Sequence, residues 1–172
     1  MKDYVFDTCS LIYLTKIGMK EKISLLGCRI VVSPTVKSEL IAEPEKYPDA
    51  VILEKNVRKG LIQEIPIEIH KMVTPKSIGR GEHETIVICA SKGGIPITDD
   101  QPAINLAISK GLKPKTSEII LLELLKNKTI TPEEFQKSFQ SLCEIKALKL
   151  DVITLINQKA RPYLKNETSG EK

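Results

Sequence analysis

The sequence predicts an α/β fold: a mostly parallel sheet with helices on both faces, followed by a C-terminal helical extension. Three observations predict it. Short β-branched and apolar runs, too short for helices, alternate with longer segments of helical spacing. Glycine or proline stands at nearly every boundary between them. After Pro114 the strands stop and strongly apolar helical segments take over. A strand–helix alternation of this kind places helices over a parallel sheet.

In order along the chain, residues 3–6 read as a short buried strand ending on Asp7, and Ser10 to Lys16 as a short helix broken by Gly18. Lys20 to Leu26 gives a second short helix stopped by Gly27. Cys28 to Val32 is β-branched and bounded by Gly27 and Pro34, which predicts the second strand. Ser33 is an N-cap with Pro34 at the first helical position of a segment that runs through Val36, Glu39 and Ile41. Glu43 to Pro48 is a loop or helix break, and Asp49 caps a helix that ends at Gly60.

Leu61 to Ile69 alternates apolar and polar residues with Pro66 inside, which suits an edge strand. His70 to Lys76 is a polar connection. A glycine turn at residues 78–81 feeds a helix from Glu82 through Ala90, and Ile95 to Thr98 is a strand stopping on Asp99-Asp100. Gln101-Pro102 opens a helix stopped by Gly111. Ser117 to Lys126 is a strongly apolar helix, Thr131-Pro132-Glu133-Glu134 has the form of a capping box, and Leu148 to Leu164 adds a last helix. The apolar helices after residue 117 suit core packing or an oligomer contact. The division expected is an α/β core over 1–115, a helical extension over 116–165 and a polar tail over 166–172.

The chain of 172 residues is long enough to bury a core rich in Ile, Leu and Val, since only 4% of it is aromatic. A net charge of +4 permits a nucleic-acid partner without requiring one. Cys9, Cys28, Cys89 and Cys143 are scattered with no CxxC pair, which argues against a disulfide framework or zinc site. Asp3 and Asp7 interrupt the amino-terminal apolar run, and no apolar run of membrane-spanning length occurs. A soluble, cytoplasmic protein with no membrane association is expected.

Acids fall at awkward positions. Asp7 ends the first strand, Glu39 sits among apolar helical neighbours, Glu82 opens the helix after the glycine turn, and Asp99 and Asp100 end the later strand. In a parallel sheet these strand ends and helix starts share one edge. Clustered carboxylates repel unless a cation joins them. Hard oxygen donors around an open site suit Mg²⁺ or Mn²⁺, and such ions serve phosphodiester hydrolysis. Each acid alone also has a structural reading: Asp7 as an N-cap, Glu39 as a solvated helix residue, Glu82 as a partner of the helix dipole, and one of the Asp pair as a turn or cap residue. Glu84, two positions after Glu82, points away from it on a helix. His70 and His83 read as surface residues.

Four stretches in order resemble the PIN-domain nucleases: Val-Phe-Asp-Thr-Cys-Ser-Leu-Ile at 5–12, Ser-Pro-Thr-Val-Lys-Ser-Glu-Leu at 33–40, Ile-Gly-Arg-Gly-Glu-His-Glu-Thr-Ile at 78–86 and Ile-Thr-Asp-Asp at 97–100. The resemblance spans residues 3–115. It implies a three-layer α/β/α sandwich and, as in many members including VapC-type toxins, a metal-dependent ribonuclease. It carries Asp7, Glu39, Glu82 and Asp100 as the acidic site, with Asp99 as the other candidate for the fourth position. Ser10 and Thr98 are then supporting polar residues, and Arg80 a candidate RNA phosphate contact. Cys9 stands where the family often has Ser or Asn.

The resemblance further implies RNA as partner, a homodimer, and, in a toxin role, an antitoxin-type protein partner. The glycine-turn form of the third stretch and the long helical tail look like branches outside the best-known toxins. The other class of function weighed is a catalytically silent RNA-binding or assembly module. A Rossmann-like phosphatase or kinase is disfavoured, because an Asp-x-Asp pair and a Gly-rich phosphate loop are both missing.

Overall fold

A computed structural model describes residues 1–42, 48–67 and 73–164. The expected loop after Glu43, the connection around His70 and the polar tail lie wholly or largely outside the described residues. Four strands, β1 (Lys2–Phe6), β2 (Cys28–Val32), β3 (Ile62–Glu64) and β4 (Ile95–Ile97), form one parallel sheet in the order β3-β2-β1-β4. The chain builds outward from β1 through β2 to β3, then returns to lay β4 on the other side of β1. Strand order therefore reverses between β1 and β4, and in open parallel sheets the crevice beyond the carboxyl ends at such a reversal is where ligands bind.

The helices are α1 (Thr8–Lys16), α2 (Lys20–Ile23), α3 (Pro34–Ile41), α4 (Pro48–Arg58), α5 (Arg80–Lys92), α6 (Gln101–Ser109), α7 (Ser117–Lys126), α8 (Pro132–Lys146) and α9 (Leu150–Leu164). Successive strand residues face opposite ways. Tyr4, Phe6, Ile30 and Val32 enter the larger core with α1, α3 and the C-terminal helices, whereas Val5 and Val31 meet Ile88 and Cys89 of α5 on the other face. Both faces are covered, which is why these strands carry unbroken apolar runs. The sheet and its two helical layers make the expected α/β/α sandwich. Phe135 of α8 and Ile156 of α9 lie in the same core as Phe6.

The expected capping box is present: the Thr131 hydroxyl accepts from the Glu134 N–H at 3.1 Å, and the Glu134 carboxylate accepts from the Thr131 N–H at 2.9 Å. The edge strand is shorter than the alternation suggested. It stops at Glu64, and Pro66, which has no N–H to give a ladder, falls beyond it. The helix expected from Glu82 starts two residues earlier, at Arg80, with Gly79 as its N-cap. Among the described residues no helix is long and apolar enough to cross a membrane.

Candidate metal centre at the strand-order reversal

Asp7 lies at the reversal because β1 and β4 are in register there. Phe6 pairs with Ile97, and the Asp7 N–H donates to the Ile97 carbonyl at 3.0 Å. The extended Asp7 caps α1: its Oδ1 accepts from the Ser10 N–H at 2.8 Å. The residue is fully buried, and its other oxygen, Oδ2, has no hydrogen-bond partner. Burial pushes the carboxyl up to about 6; the Thr98 and Ser10 hydroxyls and the Ser10 N–H pull it only part of the way back, and the Asp99 charge pushes it further. The capping reading and the site reading of Asp7 thus describe two oxygens of one carboxylate.

The Asp99-Asp100 pair splits its work. Asp100 caps α6, its Oδ2 accepting from the Ala103 N–H at 2.8 Å. Thr98, buried between the strand and the pair, accepts from the Asp100 N–H at 3.2 Å. Asp99 turns toward the C-terminal helices. Its Oδ1 accepts from the Ser117 N–H at 3.0 Å and from Lys146 Nζ at 2.6 Å, while its Oδ2 is buried with no partner. Lys146 also donates to the Ser117 hydroxyl at 3.1 Å and pairs with Glu118. Burial alone would lower the Lys146 ammonium, but Asp99 and Glu118 outweigh it and hold its pKa above the ordinary value.

Glu39 and Glu82 come from α3 and α5, which pack together. Glu39 is exposed, and its Oε2 accepts from the Thr8 hydroxyl. Gly81 lets α5 approach it: a Cβ at Gly81 would sit 3.0 Å from Val36 Cγ2 and 3.2 Å from Glu39 Oε2. Glu82 folds back over the start of its own helix, so that a Cβ at Gly79 would lie 2.1 Å from Glu82 Oε2. Burial raises the Glu82 pKa, its own backbone N–H lowers it, and Glu39 and Asp100 raise it further.

Arg80 is half-exposed at the rim, and its Nε donates to Glu84 Oε1 at 3.1 Å. His83 is not the surface residue expected. It is buried against α5's neighbours, with Nδ1 3.3 Å from the Thr74 hydroxyl. His70 lies outside the described residues.

One thiol reports how far the acids converge. Cys9 is exposed at the residue level, yet the atoms packed around its sulfur push the thiol up to about 11, and Asp7, Glu82, Asp99 and Glu39 all push in the same direction. Asp100 belongs to the same neighbourhood through its effect on Glu82. The topology therefore brings all five predicted acids to one region. Among the described residues, no three His, Cys, Asp or Glu side chains stand close enough together to chelate an ion as placed.

The donor set nonetheless fits a hard cation. It is all carboxylate oxygen, and two of its members, Asp7 Oδ2 and Asp99 Oδ2, are buried without a hydrogen-bond partner, the Ser10 and Thr98 hydroxyls lying near Asp7 without bonding Oδ2. A buried anionic oxygen without a partner costs several kcal/mol, of the order of a lost charged hydrogen bond or more, and a cation relieves that cost. Asp7, Asp99 or Asp100, Glu39 and Glu82 are the residues that could hold it.

Three contributors escaped the sequence reading. Thr8 orients Glu39. Glu84, fully buried, accepts from the Thr35 N–H at 3.1 Å and the Thr35 hydroxyl at 2.7 Å, which fastens α5 to the start of α3. Lys146 holds Asp99 across 47 positions. Only Glu84 carried a signal, as an acid on the apolar side of its helix.

A family model described as a PIN domain matches residues 3–151. No curated protein and no solved structure matches the chain.

Proposed function

The chain belongs to the PIN-domain family, whose members are generally nucleases that use divalent metal ions, and on that premise we propose that it is a Mg²⁺- or Mn²⁺-dependent endoribonuclease. The observation that carries the reading is the Asp7 carboxylate: fully buried at the strand-order reversal, capping α1 with one oxygen and leaving the other unbonded among further acids. Capping α1 needs only one of the two oxygens, and a second carboxylate oxygen buried without a partner costs stability rather than adding to it. Oxygen donors alone, with no His or Cys in the set, suit Mg²⁺ or Mn²⁺.

A divalent cation held there supplies an activated water and offsets charge on phosphoryl oxygens. The chain's own residues do the rest. The Ser10 N–H fixes the rotamer of Asp7, and the Thr8 hydroxyl turns Glu39. Gly79 and Gly81 give Glu82 and Glu39 the room they occupy. Arg80 stands at the exposed rim, where its guanidinium can meet a backbone phosphate of single-stranded RNA.

The test is cleavage of a single-stranded RNA oligomer in the presence of Mn²⁺, with a DNA oligomer of the same sequence alongside and Asp7→Asn as control. The reading expects metal-dependent RNA cleavage by the wild-type chain and a loss of at least a hundredfold in the variant, the scale of removing one group that stabilises transition-state charge. Equal cleavage by both proteins, or RNA binding without cleavage at any metal concentration, would overturn it.

A further inference from the structure

We propose that Lys146 is a positioning residue for the metal site: it locks Asp99 so that Asp99 Oδ2, together with Asp7 Oδ2, faces the cation, and the C-terminal helical extension thereby completes the site. The inference rests on the cation-dependent reading above and goes beyond it in choosing between Asp99 and Asp100.

The choice follows from how the oxygens are engaged. Asp99 Oδ1 is committed twice, to the Ser117 N–H at 3.0 Å and to Lys146 Nζ at 2.6 Å. That fixes the plane of the carboxylate and leaves Oδ2 buried and unbonded. Asp7 has the same division, one oxygen capping α1 and Oδ2 buried and unbonded. The two carboxylates feel each other, since the Asp99 charge pushes Asp7 upward. Asp100 likewise spends one oxygen on a helix cap, Oδ2 accepting from the Ala103 N–H, but of the two neighbours only Asp99 keeps a buried, unbonded oxygen.

Lys146 is suited to the task. Its three ammonium hydrogens have three acceptors, Asp99, Glu118 and the Ser117 hydroxyl, so it cannot rotate without losing one. Its side chain is 9% exposed and lies over the Tyr13 ring of α1, 5.8 Å from the centroid. The helix that carries it ends there, because Ala147 adopts the left-handed conformation at φ 48°.

Two effects of removing Lys146 oppose each other. A nearby ammonium repels a divalent cation, so on charge alone its loss tightens metal binding. As the clamp on Asp99, its loss frees the carboxylate to turn away and loosens metal binding. Partners that orient a ligand change metal affinity by about 10- to 100-fold. The sign of the effect separates the two accounts.

The experiment is calorimetric titration of the full chain with MnCl₂, with circular dichroism and thermal melting on the same samples. Lys146→Met is expected to weaken Mn²⁺ binding about tenfold or more, and Lys146→Arg, which keeps charge and donors, to restore most of it. Asp99→Asn keeps the oxygen that Lys146 and Ser117 hold and replaces Oδ2, so it is expected to keep its fold and lose Mn²⁺ affinity even if Lys146→Met melts early. Lys146→Met or Asp99→Asn binding Mn²⁺ as tightly as the wild type, or more tightly, overturns the inference while leaving the cation reading intact. A wild-type chain that binds no Mn²⁺ overturns both.

Discussion

Asp7 and Asp99 each bury a carboxylate oxygen, Oδ2, with no hydrogen-bond partner, one immediately after β1 and the other just beyond β4. The register Phe6–Ile97 brings these two strand ends side by side. Each carboxylate uses its remaining oxygen to hold a helix start, Asp7 at α1 and Asp99 at α7. The same two side chains therefore serve the fold and form part of the candidate site.

The burial of Asp7 has a pH signature. Burial pushes the Asp7 carboxyl up to about 6 in the folded chain, from an ordinary value of 3.8. Between those values the folded protein keeps a proton that the unfolded chain has lost. The stability Asp7 contributes is thus full below the lower value and is lost as pH rises through the upper one. For a shift of about two units the loss is at most about 3 kcal/mol. Urea unfolding in EDTA should show stability falling over that window, and Asp7→Asn should flatten the slope. Parallel pH profiles for the two proteins would contradict this.

Gly79→Ala should displace the Glu82 carboxylate while sparing the fold. Its Cβ would fall 2.1 Å from Glu82 Oε2, and the flexible end of Glu82 is what must move. We expect a melting temperature near wild type with RNA cleavage down about tenfold or more, as a misplaced catalytic group costs. Gly81→Ala presses on Val36 and Glu39 together and should cost both stability and cleavage. Unchanged cleavage in Gly79→Ala would show that Glu82 takes no part.

Cys9 offers a readout that needs no substrate. The residue is exposed, and its thiol is pushed up to about 11 by partial desolvation and by Asp7, Glu82, Asp99 and Glu39. A cation bound among those acids cancels their contribution, lowers the thiol pKa and raises the thiolate fraction. Alkylation of Cys9 by iodoacetamide, followed by peptide mass spectrometry, should accelerate several-fold on adding Mg²⁺. A rate independent of Mg²⁺ would place the ion away from Cys9.

Glu84→Ala should destabilise the protein without removing a ligand. It leaves the Thr35 N–H at the start of α3 and the Arg80 guanidinium without their buried acceptor. The loss should be about 1–3 kcal/mol, the cost of a lost cap and an unpaired buried donor. The Glu84 pKa is lowered: burial raises it, but Thr35, Ser33 and Arg80 together prevail. The stability it gives is therefore present above the ordinary carboxyl value and lost as pH falls through the lowered one. Denaturation at neutral and acidic pH should show the variant's deficit shrinking on acidification.

The strands and the helix caps were legible because they are local: β-branched runs between glycines, Ser33 before Pro34, Thr131 three residues before Glu134. The acids were legible because parallel topology sends Asp7 and the Asp99-Asp100 pair to one edge. The resemblance favoured Asp100 over its neighbour, and spacing could not show that Asp99 is the one held by Lys146, a partner 47 positions away brought in by the packing of α8.

Glu84 was rightly directed away from Glu82, but the sequence did not show that this direction leads into the start of α3. His83 was misread because its polarity suggested solvent, whereas its neighbours close over it. The edge strand was overextended because its alternation continues past Glu64 while Pro66 cannot donate to a ladder.

The central claim is that a divalent cation binds between Asp7 and its neighbouring acids. Crystals grown or soaked with MnCl₂ and measured near the manganese absorption edge test it most directly. The account predicts an anomalous peak within bonding distance of Asp7 Oδ2, absent in Asp7→Asn. A peak elsewhere on the protein, or none at saturating Mn²⁺, would contradict it.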